Sequence, residues 1–160
     1  MATEILKVNY QDPQQASDLR KMLNQYALDP MGGGQPIPEE TLERLPNCLD
    51  QFGTAFSLLA YVDQQPAGLA NCFFGFSTFA ARKLVNIHDL VVDSEFRGQG
   101  IGKKLLEEVE AIAKQQDCCK ITLEVLDKNE IAMNAYRSFG FDGYELDPET
   151  GRALFWQKKL

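Results

Sequence analysis

Val91-Val92-Asp93-Ser94-Glu95-Phe96-Arg97-Gly98-Gln99-Gly100-Ile101-Gly102-Lys103-Lys104 joins the end of an apolar strand pattern to the start of a helical one, with three alternating glycines at the junction. Glycine lets backbone N–H groups approach an anion without a Cβ in the way. A helix N-terminus adds unpaired donors and a partial positive charge. From Arg97 to Lys104 there are three cations and no acid, in a chain of net charge −7. The stretch reads as a phosphate seat. It is not a P-loop, because Arg97 stands where the first Gly belongs and Lys104 replaces Ser or Thr. The dinucleotide fingerprint G-x-G-x-x-G begins at Gly98 and Gly100 but meets Lys103 at its third glycine.

Working outward, Gly100 to Gln116 carries Leu105, Leu106, Val109, Ile112 and Ala113 as one buried stripe, with Lys103/Glu107, Lys104/Glu108 and Glu110/Lys114 on the wet side. Upstream lie three strand patterns. Thr54–Val62 and Ala67–Phe76 flank a turn at Asp63-Gln64-Gln65-Pro66, and Leu84–Val92 is apolar at both ends with Asn86, His88 and Asp89 between. Polar groups inside a covered strand need partners or a task. Earlier still, Met1–Tyr10 is β-prone, and Asp12-Pro13 starts a helix with Leu19, Met22, Leu23, Tyr26 and Ala27 on one face. After a breaker-rich loop, Asp29–Pro38, a second helix runs from Glu39 to about Gln51, bent or interrupted at Pro46.

Downstream, a strand at Lys120–Leu126 precedes a helix at Glu130–Phe139 that Gly140 ends, and Phe141–Leu146 with Ala153–Lys158 reads as a closing hairpin. The order β-α-α-β-β-β-α-β-α-β-β describes one α/β domain over residues 1–160, a mixed sheet with helices on both faces.

Composition agrees with that reading. The 160 residues are 44% hydrophobic and 24% charged, enough for a real core. An acidic chain is a poor match for nucleic acid, which needs a basic face. No apolar run approaches the roughly 18 residues of a membrane span, and the N-terminus has no signal-peptide pattern, so a soluble, cytoplasmic protein is expected. Cys48, Cys72, Cys118 and Cys119 form no C-x-x-C pair and His88 is the only histidine, so neither a metal site nor a structural disulfide is expected. The Cys118–Cys119 pair reads as small buried hydrophobes in a strand.

Arg97-x-x-Gly100-x-Gly102 fits the pattern R/Q-x-x-G-x-G/A, and here the sequence resembles the GNAT superfamily of acyl-CoA-dependent N-acyltransferases. A second stretch, Asn129-x-x-Ala132-x-x-x-Tyr136-x-x-x-Gly140-Phe141, resembles that family's other coenzyme-side signature, one strand later. The resemblance implies a mostly antiparallel sheet of the acyl-CoA N-acyltransferase type, with acetyl-CoA as the cofactor. It implies a diphosphate held by Arg97, Gly98, Gln99, Gly100, Ile101, Gly102 and Lys103. It further implies that the Leu84–Val92 and Lys120–Leu126 strands splay to admit pantetheine against backbone groups of Leu90, Val91 and Val92. Asn129 and Ala132 match coenzyme-contacting positions, and Tyr136 matches the general acid that protonates the departing thiolate. A phenol with pKa near 10 suits that task. Read from spacing alone, Tyr136 is a buried aromatic beside 132, 135 and 139.

The base is open between His88, Asp89 and water. An imidazole titrates at about 6.5, in the range the task needs. Diamine (spermidine/spermine) acetyltransferases in the family place two adjacent acids here, and this chain has His88 then Asp89. Strand alternation sets the two on opposite faces. His88 also reads as a hydrogen-bonded core residue, and Asp89 as a partner of Arg82 or Lys83.

On the acceptor side, residues 1–80 hold nine acids against four bases, and Asp29, Glu39, Glu40 and Glu43 cluster around the Gly-Pro loop. With Phe76 and His88, Asp29 and Glu39 are the candidate substrate contacts, suited to a cationic amine, although a solvated acidic surface explains them too. The expected function is acetyl transfer to a small primary amine, by an enzyme of a family that often forms homodimers. A peptide N-terminus or lysine acceptor, and a silent acyl-CoA sensor, are the alternatives.

Overall fold

Asp12 starts the first helix by accepting from the N–H groups of Gln14 (2.9 Å) and Gln15 (3.0 Å), with Pro13 pre-set for the first turn. The computed structural model describes residues 2–143 and 147–160. They fall into two compact units, Met1–Leu126 and Asp127–Leu160.

The first unit runs β1 (Thr3–Lys7), α1 (Pro13–Leu28), α2 (Glu39–Phe52), β2 (Ala55–Val62), β3 (Gln65–Ser77), β4 (Arg82–Val92), α3 (Ile101–Gln115) and β5 (Ile121–Leu123). The strands form one sheet in the order β1-β2-β3-β4-β5. Every pairing is antiparallel except β4 with β5. The β2–β3 turn places Asp63 and Gln64 at positive φ (47° and 69°), the left-handed pair that suits the twist of a two-residue hairpin.

Helices cover both faces of this sheet. Leu19 and Met22 of α1 and Leu49 of α2 pack on Leu59, Leu69 and Val91, one residue from each central strand. On the other face α3 comes in over Gly68, where a Cβ would meet Ile101 Cγ2 and Leu105 Cδ1 at 3.0 Å. Only glycine admits the helix this closely, and the buried Ile101 and Leu105 fix where its N-terminus begins.

Helix α2 is continuous through Pro46, so of the expected bend or interruption the interruption does not occur. One backbone bond is lost there, and burial of Pro46 itself and of Leu49 offsets it. Strand β5 is shorter than the pattern suggested, because its ladder consists of Val85↔Ile121, Asn86↔Thr122 and Ile87↔Leu123. Cys118 and Cys119 lie before it, half-buried, in a turn with Asp117 at φ 55° rather than inside a strand.

In the second unit, α4 (Glu130–Phe139) is capped by Asn129, whose side chain accepts from Ala132 N–H at 3.2 Å. Gly140 closes it in the left-handed region (φ 108°). The element order matches the expected one through α4. Of the expected closing hairpin, 144–146 lie outside the described residues, and Ala153–Lys158 is not a strand. No described helix is long and apolar enough to cross a membrane.

Candidate active site

The glycine turn is built as an open cradle. Gly98 (φ 77°) and Gly100 (φ 79°) adopt the left-handed conformation, and a Cβ at either would meet nothing within 4 Å. Gly100 is the N-cap of α3, and no side chain caps the helix, so the N–H groups of its first turn face outward with the partial positive charge of the helix end. Arg97 is tied by its Nε–H to the Val92 carbonyl at 3.3 Å, and its guanidinium lies 3.5 Å from Asp29. Gln99 donates to Glu95 O at 3.4 Å, and Lys103 pairs with Glu107 at 3.8 Å. Room at two glycines, backbone donors of an uncapped helix start and two flanking cations suit an anion.

The ladder between β4 and β5 ends at Ile87↔Leu123. From His88 to Val92, through Leu90 and Val91, the β4 edge on that side has no strand beside it among the described residues. The ladder thus stops immediately before the turn, at the place where the resemblance puts the pantetheine arm.

At the same point β4 carries a bulge. Asn71 faces Asp89, yet its neighbour Cys72 faces Ile87, so His88 is an extra residue. The alternation that would separate His88 from Asp89 is broken there. Phe73 and Asn71, two apart on β3, share a face. His88 stands edge-on to the Phe73 ring at 5.6 Å, and Asp89 Oδ2 accepts from Asn71 Nδ2 at 3.1 Å. Both side chains thus turn to the side covered by α1 and α2, correcting the expectation of opposite faces. His88 is exposed and Asp89 half-buried. Asp89 is not the partner of Arg82 or Lys83 either: Arg82 pairs with Asp117 at 2.7 Å and Lys83 donates to Gln116 at 2.9 Å.

Around this pair stands an aromatic wall. Phe52, more than half exposed, meets Phe73 at 5.6 Å and 90°, so the Phe73 ring lies between Phe52 and His88. Burial raises the pKa of the Tyr26 hydroxyl, and the carboxylates of Asp89 and Asp29 add to the shift. Tyr26 therefore sits within the field of both acids.

The acceptor residues expected from sequence are only partly gathered. Asp29 adjoins the glycine turn through Arg97. Glu39 lines a separate surface depression with Arg20, Lys21 and Glu43. Phe76 follows Phe74, which packs on Phe56 on the α3 side, so period-two parity sets Phe76 away from His88 and Phe73 takes its place.

In the second unit, Tyr136 lies on α4 with its ring 5.9 Å from Phe141. The side-chain oxygen of Asn129 and the N–H of Ala132 are spent on each other in the cap. The signature Asn-x-x-Ala thus has a structural content of its own.

Three residues escaped the sequence reading. Ser57 and Asn71 are fully buried polar groups at facing positions of β2 and β3, and Tyr10 reaches them from beyond β1. The available signal was an Asn inside the otherwise apolar run 67–74.

The acetyltransferase (GNAT) family model matches residues 18–141. Over 68 residues, 42% of this chain, the sequence is 38% identical to thialysine N-epsilon-acetyltransferase of Bos taurus, and the match spans 39% of that protein. An aminoglycoside acetyltransferase from an uncultured soil metagenomic sample, solved with sisomicin, has a TM-score of 0.79 at 18% identity, covering 99% of this chain and 96% of that one. An aminoglycoside N-acetyltransferase in complex with CoA has a TM-score of 0.77 at 18% identity, with the same coverage. At such identity the likeness establishes the fold.

Proposed function

Because the chain belongs to the GNAT acetyltransferase family, we propose that it transfers an acetyl group from acetyl-CoA directly to a primary amine, and that the acceptor is small and cationic. The observation that carries this reading is the β4 bulge, which turns an imidazole and a carboxylate to one side beside an open strand edge and a cradle suited to an anion.

Arg97, Lys103 and the backbone from Gly98 to Gly102 hold the diphosphate, and main-chain groups of Leu90 to Val92 hold the pantetheine arm. Acetyl-CoA supplies an acyl group already activated as a thioester. Asp89 receives the ammonium of the acceptor, with the Phe52–Phe73–His88 wall beside its apolar stem. His88 takes one proton from the amine, directly or through water, so that its nitrogen lone pair can attack the acetyl carbon. The new C–N bond forms, the C–S bond breaks, and Tyr136 gives its proton to the leaving sulfur. The second proton shed by the acylated nitrogen passes back to the Tyr136 phenolate, leaving the proton on His88 for solvent. The Tyr136 assignment rests on the motif shared with the family, as do the coenzyme contacts of Asn129 and Ala132. We place the protein in the cytoplasm, and a homodimer is the assembly we expect from the family.

Free-thiol release from acetyl-CoA, measured across polyamines, aminoglycosides, amino acids and peptides, tests the reading. Stimulation by small polycationic amines supports it. Stimulation by peptides alone moves the acceptor to a protein. Cofactor binding without release by any amine makes the protein an acyl-CoA sensor.

A further inference from the structure

Asp89 is the end of a hydrogen-bonded chain that begins 79 residues earlier in the sequence. Tyr10 Oη lies 2.8 Å from Ser57 Oγ, Ser57 Oγ lies 2.6 Å from Asn71 Oδ1, and Asn71 Nδ2 lies 3.1 Å from Asp89 Oδ2. Ser57 is 0% exposed and Asn71 3%, so water does not compete along the middle of the chain.

The sense of every bond follows from its last member. Asn71 Nδ2 donates to Asp89 Oδ2, so the amide group facing Asp89 is the NH₂. The amide oxygen then faces Ser57, whose single hydroxyl proton must go to it. With that proton committed, Ser57 Oγ can only accept from Tyr10. Four side chains on three strands and a loop are thereby locked into one direction, with each donor aimed toward Asp89.

This geometry fixes one carboxylate oxygen and spares the other. Among the described residues Oδ1 of Asp89 accepts from no side chain. It is not sealed in, since among the described residues no buried side-chain oxygen lacks a partner. A chain with an amide in its middle does not pass a proton along, because the Asn71 nitrogen would have to lose one and its oxygen gain one. Its effect is orientation.

We propose that Asn71, held in one flip state by Ser57 and Tyr10, is a positioning residue that presents Oδ1 of Asp89 to the protonated acceptor amine. The inference rests on the acetyl-transfer reading for its substrate and goes beyond it in naming what aims the receptor.

The test is a double-mutant cycle on the full chain, using the best amine found in the thiol-release panel. Asn71→Leu should raise KM for the amine about tenfold, the worth of one hydrogen bond to a charged group, with acetyl-CoA affinity by calorimetry unchanged. On an Asp89→Ala background the same substitution should have almost no effect on that KM. An undiminished effect there would mean that Asn71 acts through general packing, and would overturn the proposal. Tyr10→Phe removes one oxygen at the far end and should produce a smaller rise in the same KM, again only while Asp89 is present.

Side-chain amide resonances of Asn71 give a readout independent of turnover. They should be slow to exchange with solvent and should shift in both Tyr10→Phe and Asp89→Ala. Resonances indifferent to both changes would dissolve the chain. If the chain is intact and acetyl-CoA binds but no amine is acetylated, the acetyl-transfer reading fails separately and Asp89 has no ammonium to receive.

Discussion

The guanidinium of Arg97, in the turn after β4, lies 3.5 Å from the carboxylate of Asp29, the residue that closes α1. A cation proposed to hold the cofactor thus leans on an acid proposed for the acceptor side. The pair is partly exposed, with 60% of the Arg97 side chain and 32% of the Asp29 side chain accessible, so it contributes little to stability. Its interest is competition, since a diphosphate and Asp29 would draw on the same guanidinium.

Asp29→Asn should therefore tighten acetyl-CoA binding by about twofold to threefold, within the range of a surface ion pair. Arg97→Ala should weaken it about tenfold, as loss of one charge-assisted contact to phosphate does. Calorimetric titration at low and moderate salt reads both. Equal affinity in wild type and Asp29→Asn would show that the pair and the cofactor do not compete.

Gly100→Ala and Gly68→Val separate conformational cost from steric cost. At Gly100 a side chain meets open space but sits at φ 79°, so the loss of stability should be about 1 kcal/mol, with a larger proportional loss of acetyl-CoA affinity. At Gly68 the added atoms run into Ile101, Leu105 and the Val91 carbonyl at 3.0–3.2 Å. About 1–3 kcal/mol of stability should go, as for other overpacked sites. Urea unfolding of the two variants checks the order.

Tyr136→Phe should lower kcat by about 10² to 10⁴, the scale of a general acid, while cofactor affinity stays near that of wild type. Turnover equal to that of wild type would remove the phenol from the mechanism.

His88→Ala should lower kcat with acetyl-CoA affinity retained, and added imidazole should restore part of the rate. Restoration by imidazole but not by an uncharged amide marks a proton-transfer role; absence of any rate loss removes His88 as the base and leaves Asp89 or water to take the proton.

Cys72 should be inert where Cys48 is not. Burial first, and then the charge of Asp89, push the Cys72 thiol up to about 12, whereas Cys48 is exposed. Iodoacetamide at pH 8 should label Cys48 and leave Cys72 untouched in the native protein. A raised folded-state pKa favours folding fully below the unfolded value of 9.0 and less as pH climbs from there toward about 12. Stability should fall across that window, and Cys72→Ala should show a shallower decline. Identical slopes would mean that other groups govern alkaline unfolding.

The helices and the glycine turn before α3 were legible because their signals are local. Asp12-Pro13, the Leu105–Leu106–Val109 stripe and Gly140 each act within one turn of helix. Chain order through α4 followed from them. The acceptor side was not legible, because its geometry comes from β3 and from an inserted residue in β4. Period-two reasoning presumes an unbroken pleat, and nothing local in Asn86–His88–Asp89 announces that one residue is unpaired. The placement of Phe76 on the face away from His88 was hidden for a similar reason: parity along β3 is fixed by what Phe74 and Phe73 touch, which depends on Phe56 and Phe52, far away in sequence. Ser57 and Asn71 were visible only as two polar residues in apolar strands, since their pairing requires the β2–β3 register.

The unpaired residue in β4 works as a half-wavelength phase slip. Deleting His88 would bring the strand back into step, and Asp89 could then no longer share a side with the residue before it. Anyone transplanting this strand into a related scaffold must carry the slip along with the letters. A graft that keeps His88-Asp89 but restores regular pleating would deliver the same two side chains to two different rooms.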